Sequence, residues 1–386
     1  MRARPRILFY FLHLLGVGHV YRAKRLIEGF ANQGLDVDVI YGGLPIGQTF
    51  SANSVFYLPP IQAENAEYKN YLDENGDPLT DAYMQERKVK LLEHVASLSP
   101  DLVLFEAFPF GRRIVRNEIF ALLENLRSRP HPPLIVTSVR DILQPRAKPG
   151  RNEETRDIIQ SQFDRVLVHS DPNVIKLDET YPLTSAIEDK ISYTGFVVPP
   201  AKVASDVRSF DIIVSAGGGG FGYELMKRAL AVSQLEAWKN FSWCLAVGPH
   251  VDAADRAMLE RSAGENVSIV KRLEGLAAHL AKSKLSISQC GYNTAMDVLA
   301  VNGVSDCRAV FVPYDTQGQL EQIKRAQLLE RAGFAISVPQ SSLTVEALSD
   351  AMESALALPS VEHSVDFSGV ETTARLVVSW LADRRM

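Results

Sequence analysis

Short apolar runs that look like β-strands alternate with amphipathic helical patterns along the whole chain. Parallel strands need a crossover helix between them, and helices on both faces of such a sheet bury its strands completely. The sequence therefore predicts an α/β protein built from doubly wound parallel sheets. The predicted strands cover residues 7–12, 36–41, 54–58, 102–105, 134–138, 165–169, 191–194, 211–215, 242–247, 267–270, 285–288, 309–312 and 335–338. Predicted helices include residues 20–33, 83–98, 112–127, 222–235 and 371–384.

The alternation is interrupted once, near the midpoint. The chain has 386 residues, which is long for a single hydrophobic core. Residues 195–209 contain prolines and show no periodicity, and a strand followed by a glycine-rich turn comes next. We therefore expect two Rossmann-like domains, residues 1–200 and 201–386, with the active site in the cleft between them. The sequence leaves open whether the last helix, residues 371–384, packs back on the first domain.

Composition excludes several classes of protein. The net charge of −5 argues against a nucleic-acid binder that depends on phosphate neutralisation. Cys244, Cys290 and Cys307 are far apart and form no CxxC, so neither a disulfide framework nor a zinc site is predicted. The basic and then apolar start lacks a cleavage site, which favours a first strand over a signal peptide. Since no apolar run reaches the ~20 residues of a membrane span, we expect a cytoplasmic protein.

The first predicted strand leads into a glycine turn and a helix. Gly16 and Gly18 let the backbone approach a ligand at the helix start. A dinucleotide fingerprint would require glycine or alanine at position 21, where Tyr21 stands, so a nicotinamide-cofactor domain is not favoured. His19 is a candidate general base, and the alternative is a histidine that is hydrogen-bonded locally at a helix start. His13, near the end of the same strand, competes for that role.

Acidic residues near other strand ends are less specific. Asp36 and Asp38 form an Asp-x-Asp pattern, but they begin the second strand, away from the carboxyl edge where ligands bind, which predicts a surface role. Glu106 follows a strand and has two interpretations. It either orients the base histidine or the acceptor of a reaction, or it forms a plain ion pair with Arg112 or Arg113.

The second half opens with a turn of five glycines in six positions, residues 217–222. Glycine is unfavourable in chain entropy, so such a run indicates a close approach of the backbone to something. Gly218, Gly219 and Gly220 are therefore predicted to cradle a phosphate, against the alternative of a flexible loop without a ligand. The P-loop pattern is absent, because no Gly-Lys-Ser/Thr follows.

Residues 288–333 indicate the most specific site. The segment reads as a strand, a tight glycine turn, a helix, a strand, a polar loop and another helix. Backbone N–H groups at the helix start after Gly291 suit a diphosphate, the acid Asp297 suits ribose hydroxyls, and Glu321 with Gln322 suits sugar hydroxyls. Further candidate contacts in this segment are Asn293, Thr294 and Gln317. The pattern predicts a site for a nucleotide that carries a sugar.

These motifs resemble the carboxyl-terminal domain of glycosyltransferase family 28. That group includes the peptidoglycan N-acetylglucosaminyltransferase and the plastid monogalactosyldiacylglycerol synthases, which have the two-domain GT-B fold. The similarity is densest over residues 290–297 and 321–333 and extends weakly to Gly217, whereas the first half matches only through residues 16–19 and the strand order.

The resemblance assigns roles to residues. It implies that Asp297, where the family usually has Glu, contacts the ribose. It also implies that Glu321 and Gln322, where the family has Gln-Gln, contact the donor sugar, and that backbone atoms of Arg272 and Leu273 contact uracil.

The implied activity is metal-independent transfer of a hexose or N-acetylhexosamine, with inversion, from a nucleotide sugar to a hydroxyl acceptor. The donor is expected to be UDP-linked and no cofactor is expected, because the nucleotide sugar is a co-substrate. His19, or Glu106 in its place, would be the base. Two alternatives stay open, a UDP-sugar 2-epimerase and a non-catalytic binding subunit of a two-protein transferase.

The acceptor is not predicted, because the first half, including a polar insertion at residues 65–86, has no readable motif. Phe108 and Phe110 with the arginines after them leave peripheral contact with a membrane open, against a helix-capping loop.

Overall fold

The chain is described by a computed structural model, which divides into two compact units. Unit 1 comprises Met1–Val197 and Asp366–Met386, and unit 2 comprises Val198–Val365. The structure describes residues 4–15, 18–65, 69–144, 148–198, 207–216, 222–248, 251–315, 320–359 and 365–384. No helix in the described part of the chain combines the length and the apolar character that crossing a bilayer requires.

Unit 1 is built on a seven-stranded sheet in which every pair of neighbouring strands is parallel. Its strands are β1 (Arg6–Phe11), β2 (Asp36–Tyr41), β3 (Ser54–Tyr57), β4 (Gln62–Ala63), β5 (Tyr71–Leu72), β6 (Leu102–Glu106), β7 (Leu134–Arg140), β8 (Arg165–His169) and β9 (Ile191–Tyr193). The order in the sheet is β3-β2-β1-β6-β7-β8-β9, and β4 and β5 form a separate antiparallel pair. The strand order reverses between β1 and β6, so this pair is the topological switch point where ligands of such sheets bind.

Helices cover both faces of this sheet. They are α1 (Gly18–Asn32), α2 (Asp81–Ala96), α3 (Arg116–Arg127) and α4 (Arg151–Gln162), with short 3₁₀ helices at Arg113–Val115, Leu177–Glu179 and Thr184–Lys190. Successive residues of a strand point to opposite faces. Ile7 and Phe9 of β1 therefore pack under α1, while Leu8 and Tyr10 pack under α2 and α3, and all four are buried. This explains why the strands read as continuous apolar runs.

Unit 2 repeats the architecture with six parallel strands. Its strands are β10 (Ile212–Ser215), β11 (Trp243–Ala246), β12 (Val267–Val270), β13 (Leu285–Ser288), β14 (Arg308–Phe311) and β15 (Ile336–Ser337). Its helices are α5 (Tyr223–Val232), α6 (Ala253–Ser262), α7 (Leu276–Leu280), α8 (Tyr292–Asn302), α9 (Glu321–Arg331) and α10 (Val345–Leu356), with a 3₁₀ helix at Gln340–Ser342. The order β12-β11-β10-β13-β14-β15 places a second switch point between β10 and β13.

The predicted α/β class with two Rossmann-like sheets is confirmed, and two boundaries are corrected. The segment at residues 65–86 is more ordered than a polar insertion, because β5 lies in it and α2 begins in it. Thr80 caps α2 by accepting from the Tyr83 N–H, so this helix starts at Asp81, two residues before the predicted start. Helix α3 starts later than predicted, because Arg112 adopts a left-handed conformation with φ of 58°.

The last helix, α11 (Gly369–Asp383), belongs to unit 1 and packs on α1. Its start is joined to the end of the first half by backbone hydrogen bonds, with 2.7 Å from the Phe196 N–H to Asp366 O and 3.2 Å from the Gly369 N–H to Phe196 O. Residues 195–197, the first of the predicted linker, are thereby buried in unit 1. A Cβ on Gly369 would lie 2.6 Å from the Phe196 carbonyl atoms, so this approach requires glycine.

Gly369→Ala is expected to lower the free energy of unfolding by about 1–3 kcal/mol, because the new methyl group meets backbone atoms that cannot move alone. Chemical denaturation measures this change, and hydrogen exchange over residues 369–383 shows whether the helix loosens. Val378→Ala on the same helix, where the side chain is 38% exposed, is the control and should stay within about 0.5 kcal/mol of the parent. Equal losses of unfolding free energy in Gly369→Ala and Val378→Ala would contradict the steric explanation.

Candidate active site

His19 and Glu106 meet at the switch point of unit 1. His19 is the second residue of α1, directly after β1, and Glu106 ends β6, the strand next to β1. Their Nδ1 and Oε1 atoms are 2.7 Å apart. The Glu106 side chain is fully buried, whereas the His19 side chain is 16% exposed. A mostly buried imidazole is therefore held by a fully buried carboxylate.

Arg22, one helical turn after His19, completes what we call the His19 cluster (His19, Arg22 and Glu106). Its Nη2 donates to Glu106 Oε1 and lies 3.1 Å from His19 Nδ1. The arginine is only 2% exposed. The sequence analysis missed Arg22, although the signal existed, since this charged residue lies on the buried face of α1 together with Val20 and Leu26.

The electrostatics of the cluster leave His19 neutral and Glu106 ionised. Burial lowers the pKa of His19 to about 3, the Glu106 carboxylate opposes this shift, and the Arg112 and Arg22 cations add to it. Burial alone would raise the pKa of Glu106, but His19, Arg22 and Arg112 together lower it well below its usual range. An ionised Glu106 accepts the proton of Nδ1, which leaves the lone pair of His19 on Nε2.

His13 occupies a different environment. Its Nδ1 is 3.0 Å from the Tyr41 hydroxyl, and the two rings stack at 9° with centroids 5.5 Å apart. Because that hydroxyl donates to the Leu44 carbonyl at 2.7 Å, it accepts the proton of His13. Burial lowers the pKa of His13 to about 4. His13 is thus packed against a tyrosine, whereas His19 has the carboxylate that a base needs for orientation.

The partners of Glu106 decide between its two interpretations. Arg113 pairs with Glu154 instead, and the Arg112 Nε donates to the Leu12 carbonyl at 2.7 Å. The Glu106 carboxylate contacts His19 and Arg22, and the charge of Arg112 also lowers its pKa.

Two other expectations about unit 1 are also corrected. Asp38 has no surface role, since it is 3% exposed, accepts from the Ser54 hydroxyl at 2.6 Å and pairs with Arg6 at 3.3 Å. Phe108 and Phe110 are buried, so they belong to the core and not to a membrane-facing surface. Gly18 is the first residue of α1, and Gly16 lies outside the described residues.

In unit 2 the candidate residues gather at the start of α8. Gly291 is its N-cap, with Asn293 and Thr294 in the first turn and Asp297 in the second. The helix follows β13 at the switch point, where free N–H groups and the helix dipole favour an anion. The Asn293 Oδ1 atom is buried and accepts no hydrogen bond within the described residues.

Arg325 connects this helix start with α9. Its guanidinium is fully buried and donates to the Cys290 carbonyl at 2.7 Å and to Glu321 Oε1 at 2.8 Å. Gln322, the neighbour of Glu321, accepts from the Tyr314 N–H at 3.2 Å. The two predicted donor-binding segments are thus joined by one side chain. The sequence analysis missed Arg325, whose signal is its spacing of four residues from Glu321 on one helix.

The remaining candidates in unit 2 lie apart or outside the description. Arg272 and Leu273 follow β12, which β11 and β10 separate from β13. Gly218, Gly219, Gly220 and Gln317 lie outside the described residues.

Comparison with known proteins agrees with this architecture. CalG4, the calicheamicin glycosyltransferase, superposes with a TM-score of 0.66 at 16% identity and covers 99% of both chains. MurG of Acinetobacter baumannii superposes with a TM-score of 0.62 at 15% identity, over 97% of this chain and 99% of that one. At these identities the likeness shows the fold. The chain therefore has the GT-B fold.

Unit 2 matches a protein-family model. Residues 212–363 match the model of the glycosyltransferase family 28 C-terminal domain. The UDP-N-acetylglucosamine--N-acetylmuramyl-(pentapeptide) pyrophosphoryl-undecaprenol N-acetylglucosamine transferase of Thermotoga neapolitana is 22% identical over 188 residues, 49% of this chain and 52% of that enzyme. The enzyme of the same name from Burkholderia cenocepacia is 31% identical over 156 residues, 39% of this chain and 41% of that enzyme. The chain thus spans about half the length of the first relative and 41% of the second, and the predicted resemblance to family 28 is confirmed.

A further histidine lies near the His19 cluster. His169 ends β8, is fully buried, and has its Nδ1 2.9 Å from the Thr194 hydroxyl. Burial and the Arg22 cation lower its pKa from 6.5 to about 3, against the opposing charge of Glu106. The folded protein therefore leaves His169 unprotonated in a pH range where the unfolded chain protonates it.

The sign of the resulting pH dependence follows from this difference. As the pH falls below 6.5, the unfolded chain gains a proton at position 169 that the folded chain does not bind, so stability falls. We predict that His169→Gln reduces the slope of unfolding free energy against pH by about 1.4 kcal/mol per unit between about pH 6 and 4. Urea unfolding over a pH series measures this slope. His131→Gln, which alters an exposed histidine, is the control variant. An unchanged slope in His169→Gln would mean that position 169 is protonated in the folded state.

Proposed function

We propose that the chain is an inverting, metal-independent glycosyltransferase that moves a sugar from a nucleotide donor to a hydroxyl acceptor. The observation that carries the proposal is the 2.7 Å contact between His19 Nδ1 and Glu106 Oε1 at the switch point of unit 1. The family 28 domain over residues 212–363 supports the donor side of the reaction.

His19 Nε2 would take the proton of the acceptor hydroxyl while its oxygen attacks the anomeric carbon. The bond from that carbon to the diphosphate oxygen breaks in the same step, and attack from the opposite face inverts the configuration. The imidazolium formed is stabilised by Glu106, which is ionised before the reaction begins. A neutral imidazole is the form that a general base requires.

The donor would bind to unit 2. The N–H groups at the start of α8 suit the diphosphate, and their dipole stabilises the charge that develops on it without a metal. Asp297 would accept from the ribose, while Glu321 and Gln322 would bind the sugar. The relatives are named for UDP-N-acetylglucosamine, which supports a UDP-linked donor here.

The base is tested by removing it. His19→Ala is expected to lower turnover by about 10²–10⁴ while donor binding survives, because the imidazole acts on the proton and not on the nucleotide. Release of UDP from UDP-N-acetylglucosamine, with water as a slow acceptor, is the measurement, and UDP affinity is its control. His13→Ala is the matched variant. A larger loss of turnover in His13→Ala than in His19→Ala would reassign the base.

The ribose contact has its own test. Asp297→Asn is expected to weaken UDP binding about tenfold to a hundredfold, since a hydrogen bond to a charged group contributes roughly 1.5–3 kcal/mol. Isothermal titration with UDP measures this change. Asp306→Asn, at an exposed position of the same unit, is the matched control. Unchanged UDP affinity in Asp297→Asn would remove this residue from the site.

The same donor assay separates the alternatives. Loss of UDP release on addition of EDTA would contradict the metal-independent mechanism. A 2-epimer of the donor would indicate the epimerase, which neither the family model nor the relatives above support. Binding of UDP without any turnover, until a second protein is added, would indicate a non-catalytic subunit.

A further inference from the structure

We propose that Arg22 is a positioning residue that serves as the fixed counter-ion of Glu106 and thereby limits the attraction of that carboxylate for a second proton on His19. Neither the sequence patterns nor the family match, which begins at residue 212, assigns this role to Arg22. The inference rests on the proposed function only where turnover is measured, because the protonation of His19 can be followed in any folded sample.

The geometry places two nitrogen partners on one carboxylate oxygen. Glu106 Oε1 contacts both Arg22 Nη2 and His19 Nδ1, and the two nitrogens are 3.1 Å apart. The arginine is 2% exposed and the carboxylate 1% exposed. A buried carboxylate without a counter-ion is strongly unfavourable, so one of these partners must supply a positive charge.

The chemistry of the two partners decides which of them supplies the positive charge. A guanidinium stays protonated in proteins, whereas an imidazole loses its proton near neutral pH. Arg22 therefore balances Glu106 at every pH at which the protein is folded, and His19 needs to contribute only a neutral N–H. If Glu106 were its only charged partner, the carboxylate would raise the pKa of His19 and favour the imidazolium, which cannot act as a base.

The other charged groups around His19 act in the same direction. Arg112, in the segment after β6, lowers the pKa of His19 through its charge. His169 at the end of β8 is buried, and burial lowers its pKa to about 3, so it adds no positive charge above that pH. Glu106 is the group that opposes them. Burial lowers the pKa of His19 most, and the remaining balance depends on how far Arg112 and Arg22 offset Glu106.

The test is an NMR titration of the His19 ring C–H signal, assigned by its loss in His19→Gln. In the parent protein this signal should not titrate above about pH 4, in line with its pKa of about 3. Arg22→Met should raise the midpoint by roughly 1–3 pH units, the usual effect of an opposite charge within 4–6 Å that is no longer offset. Arg22→Lys, which keeps the charge, should restore the midpoint of the parent.

Arg87→Met is the matched control. Arg87 is a second buried arginine of unit 1, and its Nε donates to Glu118 at 2.8 Å. Removing it also leaves a buried carboxylate without its partner, so both variants lower the stability. The His19 midpoint should move in Arg22→Met and stay fixed in Arg87→Met.

Three results would overturn the inference. They are an unchanged midpoint in folded Arg22→Met, an equal shift in Arg87→Met, and failure of Arg22→Lys to restore the parent value. If Arg22→Met does not fold, Arg22→Gln replaces it, because its amide still donates to Glu106 without a charge and should give the same upward shift.

The turnover arm separates this inference from the proposed function. The acid limb of kcat/KM in Arg22→Met should move to higher pH by the same amount as the NMR midpoint. A shifted NMR midpoint in a protein that transfers no sugar would sink the proposed function and leave the role of Arg22 intact. Sugar transfer by a protein whose His19 midpoint does not shift in Arg22→Met would overturn the role of Arg22 and leave the proposed function intact.

Discussion

The parallel pairing of β1 with β6 is the constraint on which the rest of unit 1 depends. These strands are neighbours in the sheet although 90 residues lie between the end of β1 at Phe11 and the start of β6 at Leu102. The pairing places the start of the helix that follows β1 near the last residue of β6, and it brings His19 to Glu106 across 87 positions of sequence. Helices on either face then bury the carboxylate, and burial gives its charge a strong effect on the imidazole.

Buried arginine–glutamate pairs recur in both units, two of them between different elements and one within α9. In each pair the arginine is almost fully buried, so the ions stabilise each other only in one geometry. Their hydrogen bonds fix the relative positions of the backbone segments that carry them. The pairs are Arg22 with Glu106, Arg87 with Glu118 and Arg325 with Glu321.

The pair of Arg325 with Glu321 explains how unit 2 accommodates a residue that differs from the family pattern. A glutamate at position 321, where the resemblance implies glutamine, adds a negative charge to the predicted donor-binding segment. Arg325 supplies the opposite charge from the next turn of the same helix and also holds the Cys290 carbonyl at the start of α8. The substitution is therefore accommodated locally, and both segments keep their positions relative to each other.

Much of the fold follows from local patterns. The apolar alternation predicts the strands and helices because periodicity reports burial directly, and the order of strand and helix predicts a parallel sheet. The predicted helix boundaries are wrong where a capping side chain or a residue in the left-handed conformation sets the start of the helix, as at Thr80 and Arg112. The motif at residues 290–297 predicts the family resemblance of unit 2, since a glycine turn at a helix start has a recognisable local sequence.

Local patterns in the sequence suffice for the α/β class, the two Rossmann-like repeats and the list of residues that are candidates for chemistry. Which of these residues meet depends on the tertiary structure. The partners of Glu106, the packing of His13 against Tyr41 and the attachment of α11 to unit 1 all join residues far apart in the chain. Such contacts depend on the strand order and on which face of a helix is buried, and hydrophobic periodicity does not encode the pairing of distant segments.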